Sequence, residues 1–424
     1  MNTSQRIVLI LLVVCLLGGI ISGSQFYYRL AYFWLLLLIF SYLMSRLALR
    51  GINFRRTARF TRSQVGQIYE ERFEIQNTGR VMRLWLEVKE ESSLPGSRGS
   101  QVISMLKGRE IRAYVVRTRL TTRGVFPLGP TVLASGDLFG LYQVSQTYPA
   151  SDSLLVYPMM VDIHAFPNPI GWLSGGEALR RRTQQITANA SGVREYVSGD
   201  PLNRIHWLST ARRNRLIVKE FELDPLSEVW IFVDANKSVQ FSLPPEPVQL
   251  DERDMWRPSV RIPLPPSTEE YAVSAAASLA RYYLQNERII GLVSAGRNYT
   301  VISAEKGGRQ LGKILEALAL FKADGKIPLQ ALVEAQARNL PRGSTVVIIT
   351  PAYGDGVSLS VELLSRSGMR PIIVLIDAES FGGPTGSVRV MRQLELMGIP
   401  VCRVANGDDL GQALSSWMAM QPWR

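Results

Sequence analysis

The chain has 424 residues, long enough for two globular domains plus an anchor, and its 46% hydrophobic and 20% charged content is that of a folded protein rather than a disordered one. With two cysteines, Cys15 and Cys402, and two histidines, His164 and His206, it excludes a disulfide framework and any soft-ligand metal cluster. The net charge of +12 is not a nucleic-acid signature: residues 1–62 carry eight arginines and no acidic residue, leaving +4 for the rest, so no nucleic-acid partner is expected.

The first predicted element is a transmembrane hairpin over residues 1–50. Ile7–Tyr28 is an uncharged run, and after Arg29 a second runs from Leu30 to Ser45. Crossing a bilayer takes roughly 17–25 helical residues, so two helices of about 7–27 and 30–49 are expected, the second recruiting Leu47 to Leu49 while Arg46 snorkels to the interface. Gly23, Ser24 and Gln25 supply the turn. A cleaved signal peptide is the alternative for the first run, because one basic residue precedes it and small residues follow. The six arginines from Arg46 to Arg62 predict a two-pass protein of the cell (inner) membrane with its soluble domains in the cytoplasm, and give an auxiliary means of attracting anionic lipid.

From 58 to 160 the pattern has period two, with NTG and LPGSRGS as turns, which predicts a β-sandwich-like domain. The segment DLFGLY ends it: Asp137 reads as a turn or cap residue, and Phe139 and Tyr142 are expected to close the core. A connecting segment follows over 161–226. From 227 to 424 apolar runs at Val229–Asp234, Ile289–Ser294, Thr345–Thr350, Pro371–Ile376 and Pro400–Ala405 alternate with helical patterns, a doubly wound α/β domain. Its first helix should open on the capping box Ser267 to Glu270, and Gly368 and Gly398 sit where C-terminal caps belong. A proline-rich insertion over 239–267 is expected to be extended and solvent-facing, with recognition as one possible use.

Two constellations could carry chemistry. At the end of the first α/β strand, Asp234, Asn236 and Ser238 place three oxygen ligands at alternate positions, a spacing that suits a hard cation such as magnesium. The motif resembles the metal-ion-dependent adhesion site of von Willebrand factor A domains, Asp-x-Ser-x-Ser, with Asn236 in place of the first serine. Thr350-Pro351 stands where that family offers an aspartate, and Asp355 lies farther on. The second constellation is REYVSGDPLNRIHWLSTARRNRLIVKEFE, Arg194–Glu222, in which His206 is the one candidate general base. No nucleophile or oxyanion pocket accompanies it, and no phosphate-binding loop or nucleophile elbow occurs elsewhere. A charged inter-domain joint is the expectation; a hydrolase using Asp200 and His206 is the alternative.

That stretch also resembles the hallmark of the bacterial and archaeal family called domain of unknown function 58. Arg194, Glu195, Tyr196, Gly199, Asp200, Arg204, Ile205, His206, Trp207, Ala211, Arg212, Leu216, Val218, Lys219 and Glu220 match, and Thr210 replaces the usual serine. TTRGVFPLGP, DLFGLY, the paired N-terminal spans and the von Willebrand factor A-like domain fit the same family. The resemblance implies a non-enzymatic adaptor or substrate-binding component, partnered by a MoxR-type AAA+ ATPase and a client protein in protein assembly or activation. It transfers no catalytic residues.

Overall fold

The computed structural model describes residues 3–167, 190–197, 205–221, 228–244 and 262–416. The chain divides into two compact units, the first built on Met1–Met159, the second on Met160–Pro244, Pro265–Ile314 and Lys322–Arg424.

The first unit opens with α1 (Thr3–Ser22) and α2 (Gln25–Ala48), both long and apolar enough to cross a membrane. Both helices begin some four to five residues earlier than the expected 7–27 and 30–49, and α1 ends at Ser22, five residues short of the expected end, because the turn is made by Gly23 and Ser24 alone. Gly23 adopts φ +64°, which glycine tolerates without a Cβ clash, and the Ser24 hydroxyl accepts from the Phe26 amide to cap α2.

Ten strands follow: β1 (Ile52–Ala58), β2 (Arg62–Gln64), β3 (Ile68–Asn77), β4 (Arg83–Glu90), β5 (Gln101–Leu106), β6 (Ile111–Arg119), β7 (Gly124–Pro127), β8 (Thr131–Gly136), β9 (Gln143–Tyr148) and β10 (Ser153–Tyr157). They form three sheets, in the orders β1-β3-β6, β5-β4-β8-β9 and β2-β10-β7. Phe73 and Ile75 of β3 meet Leu86 and Val88 of β4 and Leu133 of β8 in one core; Tyr69, Leu154 and Val156 anchor a second. The alternation along β3 also turns a charged residue inward: Glu71 lies on the same face as Tyr69, Phe73 and Ile75.

That carboxylate is fully buried and takes two hydrogen bonds from Arg56 of β1, at 2.9 and 2.7 Å. Arg56 also reaches Glu90 at 2.6 Å and lies over the Phe73 ring. Arg56 thus helps hold the β-rich region together from within, and Arg59 pairs with Glu70.

The DLFGLY turn joins β8 to β9. The side chain that enters the core is Leu141, against Val8 of α1 and Leu38 of α2, while Phe139 is exposed and Tyr142 half-buried. The expectation that Phe139 closes the core is therefore corrected: the two bonds from the Phe139 and Tyr142 amides to Asp137 fold the turn so that Leu141 faces inward.

In the second unit a six-stranded sheet runs β15-β14-β13-β16-β17-β18, from β13 (Val229–Val233), β14 (Ile290–Ala295), β15 (Tyr299–Glu305), β16 (Thr345–Thr350), β17 (Arg370–Ile376) and β18 (Val401–Val404). All neighbours are parallel except β14 and β15. The strand order reverses at β13, whose two neighbours are β14 and β16. Trp230 and Phe232 of β13 face a core shared with α6 (Leu329–Ala337), α7 (Gly356–Arg366) and α8 (Ser387–Leu396). Helices α4 (Thr268–Gln285) and α9 (Leu410–Ser416) and the first half of α5 (Gly308–Leu320) complete the unit, Leu315–Phe321 being grouped with the first. Gly368 and Gly398 take positive φ just past α7 and α8, as a C-terminal cap requires.

The Ser267 capping box does not form. Ser267 bridges Ser242 through the backbone, its hydroxyl makes no cap bond, and Thr268 inside the helix bonds Gln240 and Phe241 instead. The Leu243 amide donates to Pro266 and the Thr268 amide to Phe241, so the two ends of the proline-rich insertion are tied together. Residues 245–261 of that insertion lie outside the described residues.

Candidate functional site

The first candidate lies at the carboxyl end of β13, beside β16, where the strand order turns and α/β sheets place ligands. Asp234 is buried at 2% exposure. Its Oδ1 accepts from the Asn236 amide at 3.0 Å and its Oδ2 from the Thr350 hydroxyl at 2.7 Å. Burial pushes the Asp234 carboxyl above its ordinary range, and the Thr350 and Asn236 bonds offset part of that. Ser238 bonds the Asn236 side-chain oxygen through both its amide, at 3.1 Å, and its hydroxyl, at 3.0 Å.

The loop is clamped from the other side by Gly325, which exchanges backbone bonds with Ala235 and Lys237. A Cβ at Gly325 would stand 2.1 Å from the Ala295 carbonyl oxygen, so only glycine fits there.

The structure therefore brings Asp234, Asn236 and Ser238 together and adds Thr350, which the sequence offered only as a departure from an aspartate. Its signal was its place at the end of the adjoining strand. One carboxylate with three neutral oxygens is a donor set that magnesium accepts. In the geometry present these oxygens satisfy one another, and a cation would have to displace the Thr350 and Ser238 hydroxyl bonds. Asp355 takes no part: it is exposed and pairs with Arg389 at 3.1 Å.

The second candidate is a small module made by β11 (Ala190–Glu195), α3 (Trp207–Arg213) and β12 (Ile217–Phe221). The two strands pair antiparallel, placing Arg194 opposite Val218 and setting Lys219 and Glu220 opposite Val193 and Gly192. Tyr196 extends the pairing through its amide to Leu216. Ile205, Ile217 and Val218 are buried beneath. Gly199, Asp200 and Arg204 lie outside the described residues.

His206 precedes α3 and caps it. Its Nδ1 accepts from the Ser209 amide at 3.1 Å and lies 2.8 Å from the Ser209 hydroxyl. The amide can only donate, so Nδ1 carries the lone pair and the neutral ring holds its proton on Nε2. The nitrogen a general base would use is thereby engaged in the helix cap. The Thr210 hydroxyl accepts from the Ile217 amide at 3.0 Å, which is why threonine can stand for the usual serine.

Outside this frame the module presents large apolar side chains: Trp207 is 68% exposed and Leu208 65%. Arg212 and Arg213 are exposed beside them. Arg215 pairs with Glu195 at 3.0 Å with both side chains mostly in solvent, a contact worth no more than about 1 kcal/mol. The ion pairs expected of a buried joint would need Asp200 and Arg204, which are not among the described residues.

Residues 192–246 match the family described as protein of unknown function DUF58. Both candidates fall within that match, apart from Thr350, Gly325 and the first two residues of β11. The chain is also similar to the uncharacterized protein YeaD of Bacillus subtilis (strain 168), 24% identical over 242 residues, which are 57% of this chain and 53% of YeaD. The chain thus spans about half the length of the curated relative it matches. Among solved structures, the pilus adhesin SpaC of Lactobacillus rhamnosus GG aligns with 46% of this chain and 29% of its own, at 8% identity and a TM-score of 0.30. Proximal thread matrix protein 1 of the mussel byssus aligns with 44% of this chain and 46% of its own, at 11% identity and a TM-score of 0.29. Scores of this size do not establish a common fold.

Proposed function

We propose that the protein is a two-pass, membrane-anchored adaptor whose second unit, a von Willebrand factor A-like domain, docks a MoxR-type AAA+ ATPase or its client on the cytoplasmic side, without catalysing a reaction itself. The observation that carries this reading is the exposure of Trp207 and Leu208 on a module whose backbone is fixed by two paired strands and a capped helix. Tryptophan and arginine dominate the energy of protein interfaces, because each offers a large contact area with a polar handle. Here they are presented from a rigid frame, which lowers the ordering cost of association. The capping role of His206 supports the non-enzymatic side of the reading.

The test is co-purification of the full chain from native membranes in ATP and magnesium. The wild type retains an AAA+ ATPase, and Trp207→Ala with Leu208→Ser loses it while the thermal midpoint stays unchanged, as exposed substitutions within about 0.5 kcal/mol predict. Undiminished retention by the double variant would remove the module from the interface.

A further inference from the structure

The β8–β9 turn combines a buried acidic anchor with an exposed apolar tip. Asp137 is 3% exposed, and besides the two turn amides it accepts a hydrogen bond from the Ser41 hydroxyl in the middle of α2. Ser41 itself is fully buried. Leu141 fills a pocket with Val8 and Leu38, with Trp34, Leu37 and Tyr142 around it, and the Tyr142 ring meets Tyr42 edge-on at 5.6 Å. A hydroxyl-to-carboxylate bond and this apolar cluster lock the turn against the helix.

Its level along the helix follows from the residue numbers. At about 1.5 Å of rise per residue, Ser41 lies roughly 7 Å, and Leu38 roughly 12 Å, back from Arg46 toward the N-terminal end of α2. Arg46 sits in the last turn of α2, and Arg6 lies in the first turns of α1 at the same end of the hairpin. Where these helices cross a bilayer, arginines at their ends snorkel to the headgroups, and the hydrocarbon begins just beyond them. Asp137, bonded to Ser41, and Leu141, packed at Leu38, then stand below headgroup level, and the tip of the β8–β9 turn lies between them in the chain. Leu138 and Phe139 at that tip are 60% and 54% exposed. Two adjoining large apolar side chains held at this depth face acyl chains, not water.

We infer that the Leu138–Phe139 tip is a bilayer-inserting wedge: the β-rich unit touches the leaflet at a third point, beside the two helices, and its ligand is the acyl–headgroup boundary of the membrane they cross. This rests on the membrane-spanning part of the proposed function. A dipped phenylalanine and leucine fix the unit's tilt on the membrane, which two helices alone leave free to rotate.

The test uses the full chain, with Cys15→Ala and Cys402→Ser, reconstituted in phosphatidylcholine–phosphatidylglycerol nanodiscs. An environment-sensitive fluorophore is placed in turn at Phe139→Cys, Leu138→Cys, Leu36→Cys on the lipid-exposed face of α2, and Phe60→Cys beyond the far end of β1. Chain-brominated lipid is the quencher. The expected result is blue-shifted emission and quenching at 138 and 139 comparable with those at 36, with water-like emission at 60. Quenching at 36 but not at 138 or 139 overturns the wedge and leaves the spanning helices intact. No quenching at 36 overturns the spanning reading, and the wedge with it. Equal quenching at 60 and 139 also overturns the wedge, because the unit would then lie on lipid without a specific tip.

Discussion

Replacing Arg56 with methionine tests whether the buried ionic cluster holds the first unit together. The Arg56 side chain is 7% exposed, Glu71 0% and Glu90 3%, with bonds of 2.6–2.9 Å among them. Methionine keeps most of the volume over the Phe73 ring but leaves two carboxylates in the core without their cation. Breaking a buried pair on one side costs about 3–5 kcal/mol. For a unit built on Met1–Met159 each kcal/mol moves the midpoint by about 2–4 °C, so a loss of at least about 6 °C is expected at neutral pH. Burial already holds the Glu71 carboxyl above its ordinary value, and the Arg56 bonds and charge pull it back only in part. Removing Arg56 raises it further. A carboxyl raised in the folded state contributes stability that is complete below the unfolded value and is lost as pH rises through the folded one, so the variant recovers on acidification from neutral pH toward the ordinary carboxylate range. The assay is the near-ultraviolet circular dichroism melt of the detergent-solubilised chain across that range. An unchanged midpoint, or a loss with no pH dependence, would refute the argument.

The same melts check Asp234→Asn. Its carboxyl is raised by burial, so the wild type loses stability as pH climbs through the folded value; the variant escapes that loss and gains relative to wild type toward neutral pH. Magnesium is expected to shift neither protein, and a rise confined to the wild type would instead establish a cation site. His206→Ala should cost about 1 kcal/mol, the usual loss of an N-cap, and leave ATPase retention intact, as read by melting and co-purification. Burial pushes the Cys402 thiol up to about 12, with the Asp408 charge adding to it, so a maleimide at pH 8 should label it only after unfolding, as mass spectrometry of the native and denatured chain will show.

The strands and helices with strong periodicity were readable in the sequence. β16 and β17 are unbroken apolar runs buried on both faces, and the helix around Ala272–Ala280 leaves little choice of fold. β15 escaped because an edge strand buries one side only: Tyr299–Glu305 alternates between exposed and half-buried positions and lacks a fully apolar run. The Ser267 box failed because the cap signature is local, whereas the partners that claimed Thr268, Gln240 and Phe241, arrive from across the proline-rich insertion. At the candidate sites, spacing marked Asp234, Asn236 and Ser238, but Thr350 joins them from 116 residues away. Asp137 was legible as a turn residue. Its bond to Ser41 was not, since neither residue's neighbours predict a contact between a strand turn and a helix 96 residues earlier. Glu71 carried no signal either: in a chain with 36 acidic residues, only the phase of β3 marks this one as buried.

The backbone tie between Ser242 and Ser267 gives the proline-rich insertion a neck. Because the neck is closed by the sheet-bearing unit itself, the entropy of the segment between is nearly decoupled from the stability of that unit: doubling the length of such a loop costs only about 0.6 kcal/mol. The segment can therefore be lengthened, shortened or exchanged over evolution while β13 and α4 stay in register. The two ends of the insertion thereby keep a fixed spacing at the start of α4.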